Sequence, residues 1–153
     1  MIQLNTSYNR VFKTGFSARR FWHQFKFQSV IADLPEETKT ILDIGCGPGS
    51  MISLIESHIR SIGIDCSASQ VTYAKRNYGS DSRRFLAAEV PNLPFIDGSF
   101  DVVTMVEVLE HLSLPVVEET LSEVVRLLKP NGSFLITTPN YESMWPLLER
   151  IWR

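Results

Sequence analysis

The stretch Ile41-Leu42-Asp43-Ile44-Gly45-Cys46-Gly47-Pro48-Gly49-Ser50 constrains this chain more than any other. Its apolar start reads as a buried strand, and three alternate glycines follow at once. Met51, Ile52, Leu54 and Ile55 then open a helix-like pattern, which predicts a short helix over 50–58. Glycine lets the backbone turn sharply and lets a ligand approach the main chain without meeting a Cβ. A helix N-terminus behind such a turn offers free N–H groups to a polar ligand. Strand, glycine turn and helix together form a nucleotide cradle.

The bulk of the chain is compatible with one domain built on that cradle. Its 153 residues, 44% hydrophobic and 21% charged, suit an ordinary globular protein with a real core. No basic-then-apolar leader opens the sequence, and no apolar run approaches the ~20 residues of a membrane span, which favours the cytoplasm. Cys46 and Cys66 are too few for a disulfide framework and lack zinc-ligand spacing. Both follow predicted strands and read as reduced thiols lining a pocket.

The net charge of −2 is unevenly spread. Residues 1–32 carry Arg10, Lys13, Arg19, Arg20 and Lys26 and no acid, whereas the remaining 17 acids face only ten bases. Tyr8, Phe12, Phe16, Phe21, Trp22, Phe25 and Phe27 share that arm. Basic and aromatic residues together can serve nucleic acid or an anionic membrane surface. They also suit a helix that packs its rings on a sheet with its charges in water, the preferred reading.

Strand and helix patterns alternate along the chain. Phe27, Val30, Ile31 and Leu34 form one stripe of a helix over 17–34, and Thr40 leads into the first strand. Arg60–Asp65 reads as the second strand. Ser67 and Gln70 form a capping box opening a helix to about Tyr78, with Gly79 as its stop. Arg83–Glu89 fits a third strand, and the prolines at 91 and 94 make the next segment a loop. Phe100–Val106 is a β-branched fourth strand. Pro115 suits a helix start, with Val117, Leu121, Val124 or Val125, and Leu128 on its apolar face. Lys129–Gly132 stops that helix, and Phe134–Thr138 is a fifth strand.

This alternation predicts an α/β fold: a doubly wound, mainly parallel sheet with helices on both faces. Right-handed crossovers gather the strand C-terminal ends along one edge, where ligands bind in open α/β sheets. The Gly45–Gly49 turn, Asp65, Glu89 and Glu107 each fall at such an end. A dinucleotide fingerprint would need glycine or alanine at position 50, where this chain has Ser50. Asp43 discriminates further. A carboxylate there repels a pyrophosphate but suits a ligand with an ammonium group, and S-adenosylmethionine (SAM) has an ammonium, a sulfonium and no phosphate. Asp65, 20 residues beyond Gly45, stands where an acid bonds ribose hydroxyls in either ligand.

The residues 42–49 resemble the first motif of class I SAM-dependent methyltransferases. The resemblance continues in Leu93–Asp101, in Glu107-Val108-Leu109-Glu110-His111-Leu112 and in Leu127–Gly132, in the order of the small-molecule branch of that superfamily. It spans about 40–140 and implies a Rossmann-like core there, with 1–39 as an N-terminal arm and 141–153 as the start of a C-terminal helix. It also implies roles. Asp43 and the turn Gly45, Cys46, Gly47 and Gly49 would hold the methionine moiety, Asp65 the ribose, and Cys66 would lie against the adenine. Glu89 would take the adenine amino group and the Val90 N–H a ring nitrogen. The backbone at Val106 and Glu107 would close the pocket.

Methyl transfer needs alignment and exclusion of water, and a base only where the acceptor must lose a proton. Glu110 and His111, after the fourth strand, are the candidates. The spacing of Glu107, Glu110 and His111 also serves as a metal set in ubiquinone-pathway and small-RNA 2′-O-methyltransferases, which this segment resembles. Alternatively, His111 simply orders the next helix. The expected acceptor is a small molecule, with a hydroxyl slightly preferred and nucleic acid disfavoured because the basic charge is confined to the arm. Relatives of this class continue after the fifth strand, so the sheet looks truncated there, leaving an apolar edge and the patch Trp145, Leu148, Ile151 and Trp152. The expectation is association with a second copy or a partner segment. A SAM-binding, non-catalytic fragment is the alternative function.

Overall fold

The computed structural model describes residues 18–139, with side chains from His23 onward. The aromatic and basic residues of the arm through Phe16, and the tryptophan patch near the C-terminus, lie outside the described residues, and the side chains of Arg19, Arg20, Phe21 and Trp22 are not described. Five strands form one sheet in the order β3-β2-β1-β4-β5, and every adjacent pair is parallel. The elements run α1 (Ala18–Ala32), β1 (Thr40–Ile44), β2 (Arg60–Asp65), α2 (Ala68–Tyr78), β3 (Arg83–Ala87), β4 (Phe100–Val106), α3 (Leu114–Leu127) and β5 (Leu128–Thr137). Among the described residues no helix is long and apolar enough to cross a membrane.

Side-chain alternation along the strands builds two cores. On one face, Ile41 and Val102 pack with Ile52, Ile55, Val71, Ala74 and Phe85, and Ile31 and Leu34 from the end of α1 join them. On the other, Leu42, Ile44, Val103 and Met105 pack with Val124 and Leu127 of α3. The sheet is therefore covered on both faces, as the alternating pattern predicts. Strand order reverses between β1 and β4, which opens a crevice at their C-terminal ends.

Several elements depart from expectation for identifiable reasons. The predicted helix over 50–58 is a single 3-10 turn, Ile52–Leu54. Ser50, Met51, Ile52 and Ile55 are all buried, a pattern that no single helical face provides. The Ser53 hydroxyl donates to the Ser50 carbonyl at 2.7 Å and competes with helical pairing. No helix dipole therefore stands behind the glycine turn. In α3, Thr120, Val124 and Leu127 are buried while Leu121 and Val125 are exposed, so Val124 is the inward residue of the pair.

β5 starts at Leu128, before the Lys129–Gly132 turn. That turn is a bulge inside the strand: Phe100 pairs with Leu128, but Val102 pairs with Ser133, and Asn131 takes φ +65°. Lys129 Nζ lies 2.8 Å from Asp101 Oδ1, and Asp101 Oδ2 accepts the N–H groups of Lys39 and Thr40 and the Thr40 hydroxyl. Burial alone would raise the Asp101 pKa. The Lys129 ammonium, the Thr40 hydroxyl and the two backbone donors outweigh it and hold the carboxyl at about 2.

Candidate cofactor site

The glycine turn is built on left-handed backbone, with φ of +75°, +51° and +79° at Gly45, Gly47 and Gly49. L side chains rarely adopt that region, so the sequence needs glycine there. A Cβ on Gly45 would collide with the Val108 side chain, which packs the start of the β4–α3 connection flush on the turn. A Cβ on Gly47 would meet nothing within 4 Å, so this peptide faces open space. The N–H groups of Gly45 and Cys46 both donate to the Ile64 carbonyl, at 2.8 and 2.9 Å, and fold the turn back over the end of β2.

Asp43 lies beneath this turn, 3% exposed, in register with Thr104 of β4 and Gly63 of β2. The Thr104 hydroxyl donates to Asp43 Oδ1 at 2.8 Å. Burial pushes the Asp43 carboxyl up to about 7, the Thr104 hydrogen bond holds it back, and the nearby Asp65 charge adds to the rise. A carboxylate placed where ionisation is costly has a use for a cationic partner. Thr104 was missed in the sequence; a lone polar residue inside Val102-Val103-Thr104-Met105-Val106 is the signal that could have found it.

Asp65 ties the ends of β1 and β2 together. Its Oδ2 accepts the Gly47 N–H and its Oδ1 the Ser67 N–H, both at 2.8 Å. Each carboxylate oxygen has two lone-pair sites, so both retain capacity for a ligand hydroxyl. The Ser67 hydroxyl accepts from the Gln70 N–H, as a capping residue should. The return half of the predicted box is absent, because Asp65 has taken the Ser67 N–H; the Gln70 side-chain oxygen is left buried without a partner.

The two cysteines separate. Cys46 is 7% exposed and its sulfur fills the space left by the missing Cβ of Gly63, so its thiol belongs to the core and does not line a pocket. Burial pushes that thiol far up, and the Asp43 and Asp65 charges add to it. Cys66 is exposed. Its thiol is also raised, by burial and then by the charges of Asp65 and Glu89. Glu89 and Val90 lie just past the end of β3, in the irregular connection to β4, although the Ala88 N–H still bonds the Asp65 carbonyl at 3.2 Å.

At the other lip of the crevice, Glu107 has φ +57°, uncommon for a side-chain-bearing residue. Its N–H donates to Thr137 and its carboxylate pairs with Lys26 of α1 at 3.0 Å. Lys26, 10% exposed, thus turns inward, against the expectation that the charges of this arm face water. Phe27 and Val30 pack with Met51, directly behind the glycine turn, and with the partly buried Val106. Helix α1 is therefore a wall of the crevice, a role the amphipathic stripe alone does not disclose.

Glu110 and His111 occupy a 3-10 turn, Leu109–His111, beyond that lip. His111 is exposed, and Glu110 Oε2 is buried without a hydrogen-bond partner. Among the described residues no group of three His, Cys, Asp or Glu side chains is placed to hold a metal ion. A cavity of about 580 Å³ lies elsewhere, at edge strand β3, lined by Ile62, Phe85, Phe95, Lys75, Arg83 and Arg84 among others. Cations on an edge strand discourage pairing with other chains.

A parallel sheet with a switch-point crevice, a left-handed glycine turn and acids at the neighbouring strand ends defines an α/β nucleotide-binding domain. A buried carboxylate under the turn, with no phosphate-binding helix behind it, fits a cationic ligand better than a pyrophosphate. The methyltransferase-domain family matches residues 42–136, and the chain belongs to it, among the class I SAM-dependent methyltransferases.

The relatives agree in class and differ in acceptor. The chain is similar to a fatty-acid O-methyltransferase of Mycolicibacterium smegmatis, 32% identical over 121 residues that cover 76% of this chain and 43% of the relative. It is also similar to norajmaline N-methyltransferase of Rauvolfia serpentina, 27% identical, covering 88% of this chain and 48% of the relative. Among solved structures, a SAM-dependent methyltransferase of Thermotoga maritima matches with TM-score 0.75 and 27% identity, covering 95% of this chain and 63% of that one. A Haloferax volcanii complex containing the Trm112 methyltransferase activator matches with TM-score 0.72 and 29% identity, covering 87% and 57%. The chain spans less than half the length of these curated relatives.

Proposed function

We propose that the chain binds SAM at the C-terminal edge of the sheet and donates its methyl group to a small-molecule acceptor, with a hydroxyl acceptor preferred. The observation that carries this reading is Asp43, a buried carboxylate with one hydrogen-bond donor directly beneath a left-handed glycine turn. When bound, SAM supplies a methyl group on a sulfonium, an already activated carbon. Asp43 would neutralise the ammonium of the methionine moiety, and the open face of Gly47 would let it lie against the backbone. Asp65 would accept the ribose hydroxyls with its remaining lone pairs. Glu89 and the Val90 N–H would meet the adenine edge, with Cys66 beside it.

Helix α1 and the Glu107 backbone would exclude water from the crevice. Glu110 and His111 would take the proton from a hydroxyl acceptor, and the exposed imidazole would pass it to solvent. The relatives named for a fatty acid and for norajmaline support a small-molecule acceptor, with an apolar one preferred. A screen of small-molecule pools for SAM consumption tests the reading, with Asp65→Ala as the inactive control. SAM binding without turnover on any pool would leave a binding module that works with a partner. The activator complex among its structural neighbours supports that second reading.

We also propose that the isolated chain is not a monomer and that its β5 edge, where Ile136 is 40% exposed, pairs with a second copy or a partner segment. A monodisperse monomer by light scattering would refute this. A chelator that abolishes turnover would restore a metal to the Glu107, Glu110 and His111 segment.

A further inference from the structure

Between β3 and β4 the chain crosses residues 88–99 without a helix or strand, yet it is tightly fastened. Arg126, in the last turn of α3, is the fastening point. Its Nε and one terminal nitrogen grip Glu123 at 2.7 and 2.6 Å, so the guanidinium is held as a rigid fork. The remaining donors reach the Phe95 carbonyl at 2.8 Å, the Leu93 carbonyl at 3.3 Å and the Asp97 carboxylate. Glu123 in turn accepts the Leu93 N–H at 3.0 Å. The Gly98 and Ser99 N–H groups, both at 2.9 Å, satisfy the Arg126 and Leu127 carbonyls that the end of α3 leaves unpaired. Leu93 itself is 6% exposed in the core under α3. The connection and the end of α3 are one hydrogen-bonded unit.

Upstream of Leu93 the same connection carries Glu89 and Val90, separated from it only by Pro91 and Asn92. Proline fixes φ, so displacement at Leu93 passes to Val90 along a short, stiff lever. Among the described residues no hydrogen bond ties 89–92 to the sheet, the nearest being at Ala88, and Val90 is held there only by packing against the core cluster that includes Leu93. We propose that Arg126 is a positioning residue for the nucleoside end of the donor site: clamped by Glu123, it fixes the β3–β4 connection so that Glu89 and Val90 stay at the crevice. This rests on the reading that those two residues meet the adenine. Arg126 does not itself reach the site, and its task is to set where the connection stands. A lysine cannot replace it, because an ammonium is a point charge and the task needs a planar fork with donors on three sides.

The test is calorimetric binding of S-adenosylhomocysteine to the wild-type chain, Arg126→Gln, Arg126→Lys, Glu123→Gln and the exposed control Arg76→Gln, with amide hydrogen exchange at Leu93, Gly98 and Ser99. Arg126→Gln is expected to weaken binding tenfold or more with stoichiometry preserved, and Arg126→Lys to restore less than half of that on a logarithmic scale. Glu123→Gln, which keeps an acceptor for the Leu93 N–H, should weaken binding about threefold. Arg76→Gln should leave it unchanged. The three amides should exchange faster in the Arg126 variants while Ala88 does not. Lowered stoichiometry at unchanged affinity would mean general damage and overturn the proposal. Faster exchange with unchanged affinity in Glu123→Gln and Arg126→Lys would do the same. A wild-type chain that binds no S-adenosylhomocysteine would overturn the donor-site reading itself, and this proposal with it.

Discussion

Replacing Asp43 by asparagine should stabilise the unliganded protein, and by an amount that depends on pH. The carboxyl titrates at about 7 in the folded chain against 3.8 unfolded, chiefly because it is buried. Between those values the folded state keeps a proton that the unfolded state releases. Stability is therefore lost as pH rises from about 4 to 7 and levels off above. A shift of about three units at ~1.4 kcal/mol each gives a loss on the order of 4 kcal/mol at pH 8. Asparagine keeps an acceptor for the Thr104 hydroxyl and cannot ionise, so it escapes that loss.

Urea unfolding at pH 4 and pH 8 reads the difference. Near pH 4 the two proteins should nearly coincide. At pH 8 the variant should be more stable by about 4 kcal/mol, or ~2 M in midpoint for a slope near 2 kcal/mol/M. Donor binding should move the opposite way. The ammonium of the ligand would draw the proton off Asp43, so wild-type binding near pH 6–7 should release a proton, visible in calorimetry across buffers of different ionisation heat. Asp65 and the Cys46 thiol are the other titratable groups coupled to Asp43, and both remain in the variant. Equal stabilities at pH 8, or a variant less stable there, would refute the reasoning.

Other outcomes follow from the same geometry. Gly45→Ala should cost at least ~2 kcal/mol by thermal unfolding and abolish donor binding, because it combines left-handed strain with a collision at Val108. Lys26→Met should destabilise by about 2 kcal/mol by leaving the Glu107 carboxylate unpaired, and adding Glu107→Gln should recover most of it in a double-mutant cycle. Asp101→Asn should remove about 2 kcal/mol above pH 4, and the difference from wild type should shrink as pH falls from 4 through 2, where the wild-type carboxylate takes up its proton. Val124→Ala should cost roughly 2 kcal/mol, whereas Val125→Ala, on the exposed side of α3, should fall within about 0.5.

The strands were legible in the sequence as short apolar or β-branched runs bounded by turn and loop residues. Arg60–Asp65 and Phe100–Val106 fall where the pattern predicts them. The segment after Gly49 was not, because Met51, Ile52, Leu54 and Ile55 match helical spacing by chance while the packing buries consecutive residues. The acids at the strand ends were readable from their positions alone. What holds them was not: Thr104 meets Asp43 across 61 residues, and Lys26 reaches Glu107 from a helix whose stripe indicates only its apolar face. Arg126 stands just before the motif that announces the end of a helix, and nothing in its neighbours indicates a contact with Leu93, 33 residues earlier.

The crevice has two lips of different age in the folding chain. β1 and β2 can pair as soon as the first 65 residues are available, and that pairing sets the glycine turn over Ile64 and Asp65. The second lip needs Ile41 to find Val102, a closure that forfeits more chain entropy and comes later. Until β4 docks, Asp43 has no Thr104 and the turn has no Val108 against it. Donor binding therefore reports a finished centre rather than a formed motif, and a ligand present during refolding should accelerate nothing before that step yet hold everything after it.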